Sequence, residues 1–183
     1  MTFLIVHGIG GHSGIHWQNW LKAQLEMEGH VVIMPTMPNS EHPNRQKWLE
    51  KINESLENEN IDDVIIIGHS LGVTAALDYI EVLQKPIFGL VSVSGFASDY
   101  GAELNSYYMK ERSINFDKVR QHVQKCIVFY GDDDPYVAQR ALIEVANKLG
   151  VVPHIISKGG HLNSETGFVK FPELLELIRN ELV

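Results

Sequence analysis

The chain has 183 residues, and 15 Lys and Arg against 23 Asp and Glu give it a formal charge of −8 at neutral pH. With 44% hydrophobic and 21% charged residues it has the apolar material for a full core, which excludes a disordered chain and predicts one domain over residues 1–183. No aliphatic run approaches the roughly 20 residues of a membrane span, and the acidic balance repels polyanions, so neither a membrane nor a nucleic acid is an expected partner.

Residues 3–6 form a first β-branched and aromatic run that leads into His7-Gly8-Ile9-Gly10-Gly11. A helix is predicted over residues 17–28, closed by Gly29, and a second strand over 31–34. Trp48, Leu49, Ile52 and Leu56 mark one apolar stripe of the next helix. Residues 64–67 are a short aliphatic strand, and the helix after Ser70 is apolar almost all round, as a buried helix is. A strand over 87–93 follows, then an irregular stretch over 94–114. Helical spacing returns at Phe116, Val119 and Val123. Residues 127–130 and 151–156 are the fifth and sixth strands, separated by a helix through Leu142 and Leu149, and Pro172 opens a final amphipathic helix. Six strands alternating with six helices predict an α/β fold, a three-layer α/β/α sandwich around a six-stranded, mainly parallel sheet.

The N-terminus lacks the basic start and sustained apolar stretch of a secretory signal, and the single cysteine, Cys126, has no internal partner and reads as a small buried residue. A cytoplasmic location is the expectation.

The chemistry is concentrated in three turns. Gly68-His69-Ser70-Leu71-Gly72 follows the third strand and opens a helix, the context a G-x-S-x-G nucleophile turn requires. Side chains two positions either side of Ser70 would collide with packed chain, hence the glycines. A serine hydroxyl needs a general base, and the base needs a third group to hold its tautomer. Gly131-Asp132-Asp133-Asp134-Pro135-Tyr136-Val137 follows the fifth strand and supplies the acid. Asp134 is chosen, since Pro135 stiffens the turn there; Asp133 is its nearest rival, and Asp132 reads as a helix cap. Gly159-Gly160-His161-Leu162 follows the sixth strand and supplies the base, His161. Of the other histidines, His154 falls within a predicted strand and His69 is too close in chain to reach over Ser70.

An oxyanion needs two backbone N–H donors, each worth about 3–4 kcal/mol of transition-state stabilisation. Leu71 is expected to supply one and Ile9 the other, with Gly10 the alternative to Ile9. A cleft bounded by Ile9, His12, Phe96 and Leu162 is expected to bind small acyl groups.

The chain resembles the α/β-hydrolase superfamily, and more narrowly its small, compact serine hydrolases of the retinoblastoma-binding-protein-nine and YdeN type. The likeness is carried by His7 to Gly11, His16-Trp17-Gln18-Asn19-Trp20, Trp48, the Ser70 turn, the Asp134 turn and Gly160-His161-Leu162-Asn163. The resemblance implies a hydrolase core without a cap domain, carboxylesterase-like cleavage of a small-molecule acyl substrate through Ser70, Asp134 and His161, and no cofactor. The Leu-x-Cys-x-Glu partner segment of one such protein has no counterpart around Cys126, so protein partners are left open.

Three rival readings were weighed. Gly8-Ile9-Gly10 begins a dinucleotide fingerprint but reaches Ser13 where a third glycine belongs. His7, His12 and His16 lack zinc-ligand spacing, so no metal is expected, and His16 reads as a hydrogen-bonding turn residue. A non-catalytic binding protein on the same fold is the alternative from another class, and an amidase or thioesterase the alternative within the same chemistry.

Overall fold

A computed structural model describes residues 1–183. The strands β1 (Thr2–Val6), β2 (Val31–Ile33), β3 (Val64–His69), β4 (Ile87–Val93), β5 (Val123–Gly131) and β6 (His154–Ile156) form one sheet in the order β2-β1-β3-β4-β5-β6. Every neighbouring pair is parallel. All six C-terminal strand ends therefore lie at one edge, and the loops leaving them meet there.

Alternation along the central strands divides the core into two layers. Leu4, Val6, Ile66, Leu90 and Val128 face one layer, packed by α2 (Arg45–Leu56), α3 (Leu71–Val82), α5 (Phe116–Gln121) and α6 (Gln139–Leu149). Phe3, Ile5, Ile65, Ile67, Val91 and Phe129 face the other, packed by α1 (Gln18–Met27) and α7 (Pro172–Glu181). Strands buried on both faces read as continuous hydrophobic runs, as residues 64–67 do. The expected sandwich is the one observed.

Four local expectations are corrected. The stretch over 94–114 holds a seventh, one-turn helix, α4 (Ser106–Lys110), which packs Tyr108 and Met109 into the larger core layer. Val123 opens β5 instead of continuing α5, because His122 leaves helical geometry and its N–H closes the helix on Lys118 and Val119. β6 starts only at His154, where pairing with Phe129 begins, which leaves Val152 88% exposed. Cys126 is half-buried against the core, not fully buried, and burial pushes its thiol up to about 12. No helix is long and apolar enough to cross a membrane.

Candidate active site

Ser70 sits between β3 and α3 with φ 56° and ψ −123°. A non-glycine residue held there is strained and persists only where its surroundings fix it. Its N–H donates to Val93 O at 2.9 Å, tying the turn to the end of β4. The flanking glycines have the steric role expected of them: a Cβ at Gly68 would lie 2.7 Å from the backbone of Val73, and one at Gly72 only 2.3 Å from Val6 O. Helix α3 can leave the sheet this closely only without those side chains.

The three consecutive acids have three separate tasks. Asp132 Oδ1 accepts from Lys158 N–H and Asp133 Oδ1 from Gly160 N–H, each at 2.7 Å. Asp132 is thus no helix cap, and Asp133 holds the base loop, not the imidazole. Asp134 Oδ2 lies 2.7 Å from His161 Nδ1, while its Oδ1 accepts from the N–H groups of Tyr136 (2.8 Å) and Val137 (3.0 Å). The Asp134 side chain is fully buried and that of His161 is 9% exposed. A proton on Nδ1 facing the carboxylate leaves Nε2 of a neutral His161 as the free base.

Ser70 and His161 line one cleft of about 450 Å³, together with Gly8, Ile9, Tyr100, Asn105, Tyr136 and Glu165 among others. Beside the elbow, the loop after β1 is held by His7. Met37 N–H donates to His7 Nε2 at 2.9 Å, so the proton must be on Nδ1, which donates to Gly8 O at 2.7 Å. Burial lowers the His7 pKa and keeps the ring neutral. Gly10 N–H is committed to Ser40 O at 2.7 Å, whereas Ile9 N–H has no acceptor within the protein. Leu71 is the first residue of α3, where an N–H has no intrahelical acceptor. Of the two residues weighed for the second donor, Ile9 is the one left free.

Of the four residues expected to bound the cleft, Ile9 lines it and the other three do not. His12 is exposed and its Nδ1 pairs with Ser13 O. Phe96 is 1% exposed and belongs to the core layer beneath α3, where Thr74 Oγ1 donates to its carbonyl at 2.7 Å. Leu162 has φ 48°, which turns its side chain into the opposite core layer. Their places are taken by residues that sequence reasoning missed. Tyr136 and Glu165 pair across the mouth, with Tyr136 Oη donating to Glu165 Oε2 at 2.6 Å, and the Tyr136 ring stands 5.3 Å from that of His161. Tyr100, Glu103, Leu104 and Asn105 form the far wall. His16 also faces the cleft, and Ser164 N–H donates to its Nδ1 at 3.2 Å across the chain, not within its own turn. Trp17 and Trp48 are fully buried packing residues, their Nε1–H groups donating to Leu162 O and Pro38 O.

Comparison with known proteins places these features in a family. Rat serine hydrolase RBBP9 (Rattus norvegicus) is 28% identical over 178 residues, which covers 94% of this chain and 90% of the rat protein. A carbendazim-hydrolysing esterase from Nocardioides is 27% identical over 111 residues, 56% of this chain and 45% of that enzyme. The crystal structure of the ydeN gene product from B. subtilis superposes with a TM-score of 0.90 at 24% identity, covering 98% of this chain and 97% of that one, and so shares the fold. The family model described as serine hydrolase matches residues 3–180. The chain belongs to the serine hydrolase family and has the α/β-hydrolase fold.

Proposed function

We propose that the protein is a carboxylesterase-type serine hydrolase that cleaves small acyl esters through an acyl-enzyme intermediate. The reading is carried by the 2.7 Å contact between His161 Nδ1 and Asp134 Oδ2, made by a histidine that lines the same cleft as Ser70. In this scheme Ser70 Oγ attacks the acyl carbonyl as His161 Nε2 takes its proton. The N–H groups of Leu71 and Ile9 meet the oxyanion, where fixed dipoles in a site shielded from water act most strongly. His161 returns the proton to the departing alcohol, and water releases the acyl group by the reverse sequence. Asp134 holds the tautomer and stabilises the imidazolium.

The cleft of about 450 Å³ is partly apolar, with Ile9, Ile15, Leu104 and Val137 in its walls, which is compatible with a small acyl chain. The esterase relative from Nocardioides supports an ester over an amide as the bond cleaved. A binding protein without catalysis would have no use for a strained serine in the same cleft as a carboxylate-paired histidine.

Hydrolysis of p-nitrophenyl acetate by the purified protein tests the assignment. Turnover is expected in the wild type, with a fall of about 10⁵-fold or more in Ser70→Ala, and acetate is expected to be preferred over a long-chain acyl ester. Equal turnover in Ser70→Ala would show that another group does the chemistry.

A further inference from the structure

The residue ahead of the nucleophile closes β3 and is 3% exposed, yet it is a histidine. The ring of His69 lies 4.9 Å from that of His161, 5.4 Å from that of His16 and 6.0 Å from that of Trp17. Its Nε2 lies 2.9 Å from the backbone carbonyl of His161. A carbonyl can only accept, so Nε2 carries the proton of this neutral ring and donates it there. Burial, and after it the neighbouring His161, hold the His69 imidazole well below its ordinary range. Two imidazoles this close do not both take a charge, and His69 is the ring that stays neutral.

The loop that presents His161 requires such an anchor. Lys158, Gly160 and Leu162 all have left-handed backbones, with φ of 56°, 55° and 48°. For the two non-glycine residues that conformation is strained and lasts only where surrounding contacts impose it. Five side chains impose it here. Asp132 and Asp133 hold the N–H groups of Lys158 and Gly160, Thr166 Oγ1 holds Gly159 O at 2.8 Å, Trp17 Nε1–H holds Leu162 O at 2.9 Å, and His69 holds His161 O. Of these five, only His69 is bonded covalently to Ser70.

We propose that His69 is a positioning residue: by donating to the carbonyl of His161 it fixes the base relative to the nucleophile's own turn. This rests on the function proposed above. Without the donor, the strained loop relaxes, and the imidazole drifts from Ser70 while the cleft walls that bind substrate stay in place.

Steady-state hydrolysis of p-nitrophenyl acetate by His69→Leu and His69→Gln tests this. Leucine removes the donor, and glutamine carries an amide N–H at a comparable reach. In the Leu variant kcat is expected to fall about tenfold to a hundredfold with KM within about twofold, since small misplacements of reacting groups have effects of that size. The Gln variant is expected to recover most of the loss, although both substitutions remove the same ring from its packing against Trp17. Wild-type kcat in the Leu variant, or equal losses in the two, overturns the proposal. Should the Leu variant fail to fold, His69→Asn replaces it. Its amide is one methylene shorter, so it is expected to lose kcat where Gln keeps it, and equal kcat in Asn and Gln overturns the proposal. A wild-type chain without Ser70-dependent turnover overturns the proposed function and this inference together. Ser70-dependent turnover that is indifferent to His69 overturns this inference alone.

Discussion

The two walls of the cleft are built differently. On the elbow side, Ser70 and Leu162 have left-handed backbones, and the loop that carries His161 is tied down by hydrogen bonds to His69, Asp132 and Asp133. The far wall, Tyr100 to Asn105, is irregular and includes Leu104 at 60% exposure. Its anchors are few and come partly from the segment that follows it. Asp99 accepts from Gly101 N–H and Ser106 Oγ, Arg140 reaches Tyr100 O, and a buried Arg45 on α2 donates to the carbonyls of Tyr108 and Arg112. Arg45 in turn makes a two-pronged pair with Asp78 of α3 at 2.7 and 2.8 Å, with both side chains almost fully buried. The proposed base is thus held by contacts made to its own loop and side chain. The segment that follows the far wall is held by a charge pair in the core behind it.

This contrast makes the two sides separable by mutation. The largest effect is expected on the elbow side. Asp134→Asn, by disturbing the tautomer of His161, should lower kcat by about 10⁴-fold with little change in stability, measured as steady-state ester hydrolysis beside a thermal melt. On the far side the order should reverse. Asp78→Asn leaves the buried Arg45 charge without its carboxylate, which costs about 3–5 kcal/mol of stability, seen as a lowered urea midpoint. Where the folded variant is assayed, KM should rise more than kcat falls. A variant that keeps its stability would mean that the wall does not depend on this pair.

The same division explains what could be read from the amino acids. Gly68 to Gly72, Asp134 and His161 were legible because each requirement is local: a strand end, a sharp turn and one functional side chain. The parallel sheet was legible for a similar reason, its strands being short runs buried on both faces. The lining residues were not. His12, Phe96 and Leu162 lie on loops that leave strand ends, but a place on such a loop does not give a side chain's direction. A single left-handed residue sends Leu162 into the core, and a bond from Thr74 fixes Phe96 beneath α3. The pairing of Tyr136 with Glu165, and the Arg45–Asp78 anchor, join segments far apart in sequence, so no local pattern announces them. The one available signal was the position of Tyr136, two residues beyond Asp134.

The smallest expected effect also separates the two sides. His7 and His69, on the elbow side, have pKa values depressed below 6.5 chiefly by burial. Above about pH 6.5 both are neutral whether the chain is folded or not, and their contribution to stability is fully present. As pH falls below that value the unfolded chain binds protons that the folded chain refuses, so stability is lost progressively through the depressed folded values. The melting temperature should therefore decline from about pH 6.5 downward, less steeply in His69→Gln. An identical slope in that variant would mean that His69 is not held neutral.

The most direct measurement is the site of covalent capture. Treatment with a fluorophosphonate, followed by proteolysis and mass mapping, is expected to place a single adduct on the peptide containing Ser70, and Ser70→Ala should carry none. An adduct on another residue, or one that survives Ser70→Ala, would contradict the account.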